Sequence, residues 1–397
     1  MAQPVILAAK RTPIGRFLGG FSRVPSPQLG AFAISAVLDE VPAARDHVDE
    51  CIMGCVLQAG LGQNPARQAG LKAGLPDTLS AMTVNKVCGS GLQSAMLAAQ
   101  SIKAGDNDLV IAGGLENMTM APHFAHVRAG AKFGDVKMQD HMQFDGLTCA
   151  FECWAMGNAA DHIANMHDVS REEQDRFSAQ SHQRAAAATD AGHFANEIAP
   201  LTGEQVGNRK APGPEGGVAQ DEGIRSDSTA EGLARLRAVF TKDGTVTAGN
   251  ASQISDGAAA VVVASEEKAN AIGAAPIARI VDYYTSGVAP KDIFHAPALG
   301  IQALLDRNSL SVGDIDLVEL NEAFAAQVLA NIKVVGIPED KLNVCGGGIA
   351  LGHPIGASGA RVLTTLIHQL HRTGGTRGIV SLCLGGGNSV SMLVERM

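Results

Sequence analysis

One pattern occurs twice in this chain and limits what it can fold into. "CGSGLQSAMLAAQSIKAGDNDLVIAGG" starts at Cys88, and "GHPIGASGARVLTTLIHQLHRTGGTRGIVSLCLGGG" starts at Gly352. Each runs from a glycine-rich turn through an apolar-periodic helix to a glycine stop, then a strand and a second glycine turn. The stretches ahead of them also correspond. "HVDECIMGCVLQ" (47–58) parallels "DIDLVELNEAFA" (314–325), an acidic turn followed by an apolar strand with a small or polar residue at its end. Cys88 follows Gly54 by 34 residues, and His353 follows Asn321 by 32. Two fused copies of one βαβ-type unit account for this better than two unrelated domains, and 397 residues exceed what one ordinary core organises. Helices apolar on most faces belong inside, so both repeat helices are expected to be buried. By the repeat, His353 is expected to occupy the position of Cys88 and to face it across a pseudo-twofold axis.

Residues 121–250 interrupt the repeat and are richer in His, Met and charge. Within them, Ser170 and Glu173 have capping-box spacing at the head of an alanine-rich helix, and "TGEQVGNRKAPGPEGGVAQDEG" (202–223) reads as a Gly/Pro-rich loop. The expected organisation is an N-terminal half of residues 1–120 with 251–275, an inserted loop domain of 121–250 that covers the site, and a C-terminal half of 276–397. "MAQPVILAAKRTPIG" carries an apolar run too short for a signal peptide or a membrane span, and reads as the first strand.

Composition excludes several roles. Aromatic residues are only 4% of the chain and the net charge is −9, which disfavours base-stacking platforms and a phosphate-backbone partner. Neither nucleic acid nor membrane is expected, and the cytoplasm is the default location. The 46 glycines suit tightly packed α/β layers with close backbone approaches. Seven cysteines without a Cys-x-x-Cys pair argue against a disulfide framework or a zinc ribbon. Cys51/Cys55 and Cys149/Cys153 are spaced to share a helix face, and are expected to be buried small hydrophobes.

The chemistry concentrates at the two glycine turns. A turn that ends at a helix N-terminus presents free N–H groups and a positive dipole end, which favours a thiolate. Cys88 before Gly89-Ser90-Gly91 suits such a nucleophile, though by itself the turn fits a buried structural thiol equally well. His353 sits in "GGGIALGHPIGASGA" just before the second helix, and Cys383 ends a strand at "SLCLGGGNS", where it is a second reactive thiol. Asn321, at the end of the strand before "NEAFA", can hold a water or an oxyanion.

Eight motifs spread over essentially the whole chain resemble those of the thiolases, in particular the acetyl-CoA acetyltransferase branch. They are "RTPIG" (11–15), "GQNPARQA" (62–69), "CGSGL" (88–92), "MAPHFAHVRAGAKFGDVKM" (120–138), "TVTAGNAS" (245–252), "NEAFAAQ" (321–327), "GHPIGASGAR" (352–361) and "CLGGG" (383–387). The resemblance implies an α/β thiolase fold, a duplicated five-layer α-β-α-β-α arrangement with the inserted loop domain. It implies no metal and no bound cofactor, with acetyl-CoA and coenzyme A as substrates, and a homo-oligomer, a tetramer joined through 123–142. By motif, Cys88 resembles the acylated nucleophile, His353 the base that activates it, and Cys383 the acid/base for the methyl group of acetyl-CoA. Asn321 resembles the residue that positions a water beside His353 in one oxyanion hole, with the N–H groups of Cys88 and Gly385 forming the other. Arg225 in "DEGIRSDST" resembles an adenine-side contact, with an exposed loop charge as the alternative. Ser252 resembles the serine near the pantetheine, and Leu147, Met156, Ala323 and Phe324 resemble residues bordering the pantetheine or acyl group.

The chain departs from the acetoacetyl-specific pattern at Ala155, at Ile293, Phe294 and His295, and at Cys345. These positions are expected to alter acyl preference, since a pocket difference of one methylene is worth about 1–3 kcal/mol. The expected reaction is Claisen condensation and thiolysis, 2 acetyl-CoA = acetoacetyl-CoA + CoA, extended to other short 3-ketoacyl-CoA. The alternatives are a degradative thiolase of fatty-acid β-oxidation acting on longer chains, and a non-catalytic acyl-CoA carrier of the same fold. The carrier would lack the catalytic thiols.

Overall fold

The computed structural model describes residues 2–207 and 211–397. The N-terminal strand β1 (Pro4–Arg11) is followed by α1 (Ser26–Glu40), β2 (Glu50–Gly54), α2 (Pro65–Lys72), β3 (Ser80–Val84), α3 (Ser90–Ala104) and β4 (Leu109–Asn117). After a long excursion that contains α4 (Met156–Met166) and α5 (Arg171–Asp190), the chain returns as β5 (Ser255–Ser265). The second copy comprises β6 (Ala278–Gly287), α6 (Ala296–Arg307), β7 (Leu317–Leu320), α7 (Ala325–Val335), α8 (Ser358–Thr373), β8 (Arg377–Leu384) and β9 (Asn388–Arg396).

The repeat is visible in the strand order. The first half runs β3-β2-β4-β5-β1, with β2 parallel to β3 and β4, and β5 antiparallel to its neighbours. The second runs β7-β8-β9-β6 with the same alternation, and a parallel bridge from Val318 to Leu342 stands where β3 stands in the first. A short antiparallel contact of β1 with β6, at Val5–Arg279 and Ile6–Ala278, joins the two.

Period-two alternation assigns each strand face to a different layer. Val5, Cys51, Ile111 and Val262 pack outward against Leu29, Ile34 and Leu38 of α1. Ile6, Ile52, Val110 and Val261 pack inward with Leu92, Met96 and Ala99 of α3. That same inner cluster takes Val362, Leu366 and Leu370 of α8 with Val380, Leu382 and Met392 of the second sheet. A third cluster covers the far face with Ile301 and Leu304 of α6 and Val328 and Leu329 of α7. The layers are therefore α, β, α, β, α, with α3 and α8 in the middle as their all-round apolarity requires.

Glycine supplies the ends and the closest approach of these two helices. Gly105 (φ 83°) and Gly374 (φ 75°) stop α3 and α8 in the left-handed conformation. A side chain on Gly359 would lie 2.2 Å from the Leu92 nitrogen, so the two helix starts touch through backbone. The turn ahead of one helix is thereby brought against the turn ahead of the other.

Three expectations need correction. Counted back from the Ser-Gly that opens each helix, the counterpart of Cys88 is Gly356, and His353 lies three residues earlier. Cys51 is on strand β2 and Cys55 just past it, while Cys149 and Cys153 lie outside any helix, so neither pair shares a helix face. Cys153 is exposed and the other three are buried. Within 202–223 a four-residue helix, Gly203–Val206, forms because Thr202 and Gln205 complete a capping box; residues 208–210 of that stretch lie outside the described residues. The capping box at Ser170 and Glu173 is formed as expected. Among the described residues no helix is long and apolar enough to cross a membrane.

Candidate active site

Cys88 is presented by a strained turn. Val87, immediately before it, has φ 47°, a region that β-branched residues rarely enter. Local hydrogen bonds hold this geometry: Val87 N–H donates to Asn85 Oδ1 (3.0 Å), and Ser90 Oγ accepts from Lys86 N–H (2.8 Å) while donating to the Val87 carbonyl (2.6 Å). Burial pushes the Cys88 thiol up to about 12, outweighing the N–H groups of Cys88 and Gly385 that favour the thiolate. The resting sulfur is therefore a protonated thiol, not the thiolate that a helix start alone suggests.

The His353 ring is held in one orientation and one tautomer. Its backbone N–H donates to the Gln253 carbonyl (3.1 Å) and lies 3.3 Å from Ser255 Oγ, which fixes the loop. Nδ1 lies 2.6 Å from Ser358 Oγ, and that hydroxyl donates its one proton to the Pro354 carbonyl (2.9 Å). Ser358 must then accept from His353, which assigns the proton to Nδ1 and leaves the Nε2 lone pair free. Burial, with a smaller push from Arg361, lowers the imidazole to about 3, so it is neutral and a proton acceptor at ordinary pH. Asn321 Nδ2 lies 3.4 and 3.5 Å from the two ring nitrogens, and Asn321 Oδ1 is buried without a hydrogen-bond partner.

Cys383 is the next-to-last residue of β8 and is buried. Its thiol is held well above the ordinary range by burial first, and a thiolate at Cys88 would push it further the same way. Gly385 begins the turn that follows.

Cys88, His353, Cys383 and Gly385 line a single cavity of about 300 Å³. Ser252, Leu147, Met156, Ala323 and Phe324 line it as well, together with Ala155, Ile293 and Phe294. One part of the wall is aromatic: Phe294 meets Phe324 edge to face at 5.4 Å, and Phe240 meets Phe324 at 6.3 Å. Gly157 admits the Phe240 ring, which would lie 2.1 Å from any added side chain there. Not every expected residue arrives. Arg225 is exposed outside the cavity, its backbone N–H donating to His182 Nδ1 (3.1 Å). His295 stacks on His167 at 5.4 Å, and Cys345 is buried in a separate cluster with Phe194 and Leu351. Conversely, Phe240, Met118 and Ile355 line the cavity without having been singled out; only Ile355 lies in a recognisable motif. Among the described residues no group of three His, Cys, Asp or Glu side chains is placed to hold a metal ion.

Residues 4–267 match the family described as thiolase, N-terminal domain, and residues 274–396 match thiolase, C-terminal domain. The chain is 50% identical over 392 residues to an acetyl-CoA acetyltransferase of Chromobacterium violaceum, covering 98% of this chain and 99% of that one. It is 49% identical over 397 residues to a probable acetyl-CoA acyltransferase of Staphylococcus aureus, covering both chains fully. The crystal structure of the Bacillus anthracis acetyl-CoA acetyltransferase matches with a TM-score of 0.96 at 40% identity, covering 100% of this chain and 99% of that one.

Proposed function

Because this chain belongs to the thiolase family, we propose that it catalyses acyl transfer between coenzyme A thioesters, 2 acetyl-CoA = acetoacetyl-CoA + CoA, through an acyl-Cys88 intermediate. The observation that carries the reading is the convergence of Cys88 from the first half with His353, Cys383 and Gly385 from the second on one largely apolar cavity.

In the condensing direction, His353 Nε2 takes the proton of Cys88 as the sulfur attacks the acetyl carbonyl. The C–S bond to coenzyme A breaks, and the departing thiolate receives that proton and leaves as CoA–SH. One thioester has replaced another, so the step is nearly isoenergetic. Cys383, having lost its proton to solvent, then takes a methyl proton from a second acetyl-CoA. The resulting carbanion attacks the acetyl group on Cys88, a C–C bond forms, and Cys88 leaves as a thiolate that solvent reprotonates. Each oxyanion requires preset donors: the N–H groups of Cys88 and Gly385 for the acyl oxygen, His353 with an Asn321-held water for the enolate. One such donor is typically worth about 3–4 kcal/mol. The ionisation order follows from charge. A thiolate at Cys88 would oppose a second thiolate at Cys383; once Cys88 is a neutral thioester that opposition is absent while Cys383 gives up its proton and acts as the base.

Acetyl-CoA and other short acyl-CoA are the substrates of this reading, and no bound cofactor enters it. A second reading, a thiolase acting on longer 3-ketoacyl-CoA, is favoured by Ala155, which leaves the wall beside Met156 small. The halves 1–120 with 251–275 and 276–397 carry the two thiols, and 121–250 supplies Leu147, Met156 and Phe240 as a cover. We place the enzyme in the cytoplasm as a homotetramer, on the strength of the exposed Phe133, Val127, Val136 and Met138 in 123–142. Thiolysis rates over a ladder of 3-ketoacyl-CoA lengths test the reading: it expects turnover of acetoacetyl-CoA that depends on Cys88, and no turnover of any length would defeat it.

A further inference from the structure

Glu116, near the end of β4, is fully buried and has no part in the chemistry above. Its carboxylate nevertheless has four donors. Oε2 accepts from Val56 N–H (3.0 Å) and Gly356 N–H (2.9 Å), and Oε1 accepts from Leu57 N–H (3.2 Å) and lies 3.8 Å from Cys55 Sγ. Three of these donors belong to the first half, and Gly356 belongs to the loop of His353. That loop is seated in a slot with no room to spare. A side chain on Gly356 would lie 2.7 Å from Glu116 Oε2 and 2.9 Å from the Cys55 Cα, while the Gly356 carbonyl fills the space where side chains on Gly54 and Gly114 would stand, at 2.7 and 2.2 Å. The neighbouring Ile355 packs with Val56, Leu57 and Met118 against Cys88.

We propose that Glu116 is a positioning residue for acyl transfer: it clamps the His353 loop of one half onto the Cys88 half and so sets the base against the nucleophile. This rests on the function proposed above. A carboxylate suits the task because it alone can accept from all four donors. Burial raises it to about 7, opposed by its N–H donors, and the ionisable side chains around it are the thiols of Cys55 and Cys88. As pH falls through that value the carboxyl gains a proton, one oxygen ceases to accept, and the clamp loosens.

The test compares wild type, Glu116→Gln and Glu116→Asp in thiolysis of acetoacetyl-CoA, with kcat and KM for CoA taken across pH and a melting curve for each. In Glu116→Gln the amide nitrogen confronts N–H groups, and a displacement on the order of 1 Å should lower kcat about 10²-fold while leaving KM within about twofold. The acid limb of kcat near pH 7 in wild type should vanish from this variant. Glu116→Asp keeps the charge, so it should keep the limb and recover part of kcat; its expected folding makes the test independent of whether the amide variant is stable. Wild-type kcat in Glu116→Gln would overturn the proposal, and so would an equal loss in both variants with the acid limb retained in each. Failure of the underlying function would show earlier, as an inactive wild type.

Discussion

The two thiols are one unit at the scale of single residues. Each is disfavoured as a thiolate by burial, and a thiolate at Cys88 would oppose one at Cys383. Because the resting Cys88 is an uncharged thiol, acetylating it exchanges one neutral group for another and should leave Cys383 as acidic as before. After brief treatment with acetyl-CoA, iodoacetamide near neutral pH should alkylate Cys383 no faster than in the free enzyme, read by peptide mass spectrometry; a faster rate would mean that Cys88 rests as a thiolate. His353 carries its own expectation. An imidazole lowered to about 3 is neutral above that pH, and protonation on the way down would lose the base. The sign is that of a depressed pKa: the functional form is present at high pH and lost only as pH drops toward about 3. The kcat/KM profile should show no inflection belonging to His353 above about pH 5. If an acid limb near 7 persists after Glu116→Gln, it belongs to the imidazole and that expectation fails.

At the scale of elements, the turn that carries Phe294 contributes to the cavity wall. Phe294 is 2% exposed, packed on Phe324, and tied by its carbonyl to Asn331 Nδ2 at 2.7 Å. Phe294→Ala should cost about 3–5 kcal/mol of stability, the usual range for a buried phenylalanine. It should also raise kcat/KM for 3-ketoacyl chains longer than acetoacetyl, by a factor within the roughly 10–200-fold that a methylene or two commands. A uniform change at all chain lengths would mean that the ring supports the turn and does not bound the acyl group. These elements were legible in the sequence to differing degrees. The repeat, the buried helices α3 and α8 and their glycine stops follow from periodicity and from the left-handed backbone that glycine permits. The left-handed Val87 does not, because nothing about a valine announces positive φ. Nor does Phe240, which reaches the cavity only because Gly157 lacks a side chain. Glu116 reads as one polar residue at the end of an apolar strand; its partners lie 60 and 240 residues away, beyond any local pattern. The repeat also misled at His353, placing it opposite Cys88 in register when Gly356 holds that place.

For the whole molecule, duplication is what makes a two-thiol site available. Neither half lines the cavity alone: Cys88 comes from one, and His353 and Cys383 from the other, joined where α3 and α8 meet through Gly91 and Gly359. Residues beyond the halves add the exposed apolar loop. Phe133 stands fully exposed, with Met138 at 61%, an arrangement that self-association would cover. Light scattering at micromolar concentration should give a tetramer, and Phe133→Ser with Met138→Ser should shift it toward dimers without loss of the cavity; a dimeric wild type would remove the loop from this role. The central claim is that this site passes an acyl group through Cys88. Intact and peptide mass spectrometry after brief exposure to acetyl-CoA tests it most directly. The account predicts one acetyl group on the peptide containing Cys88, cleared by added coenzyme A and absent from Cys88→Ser, which should remain folded because the exchange is nearly isosteric. An acetyl group on Cys383 or Cys345, or one that survives Cys88→Ser, would contradict it.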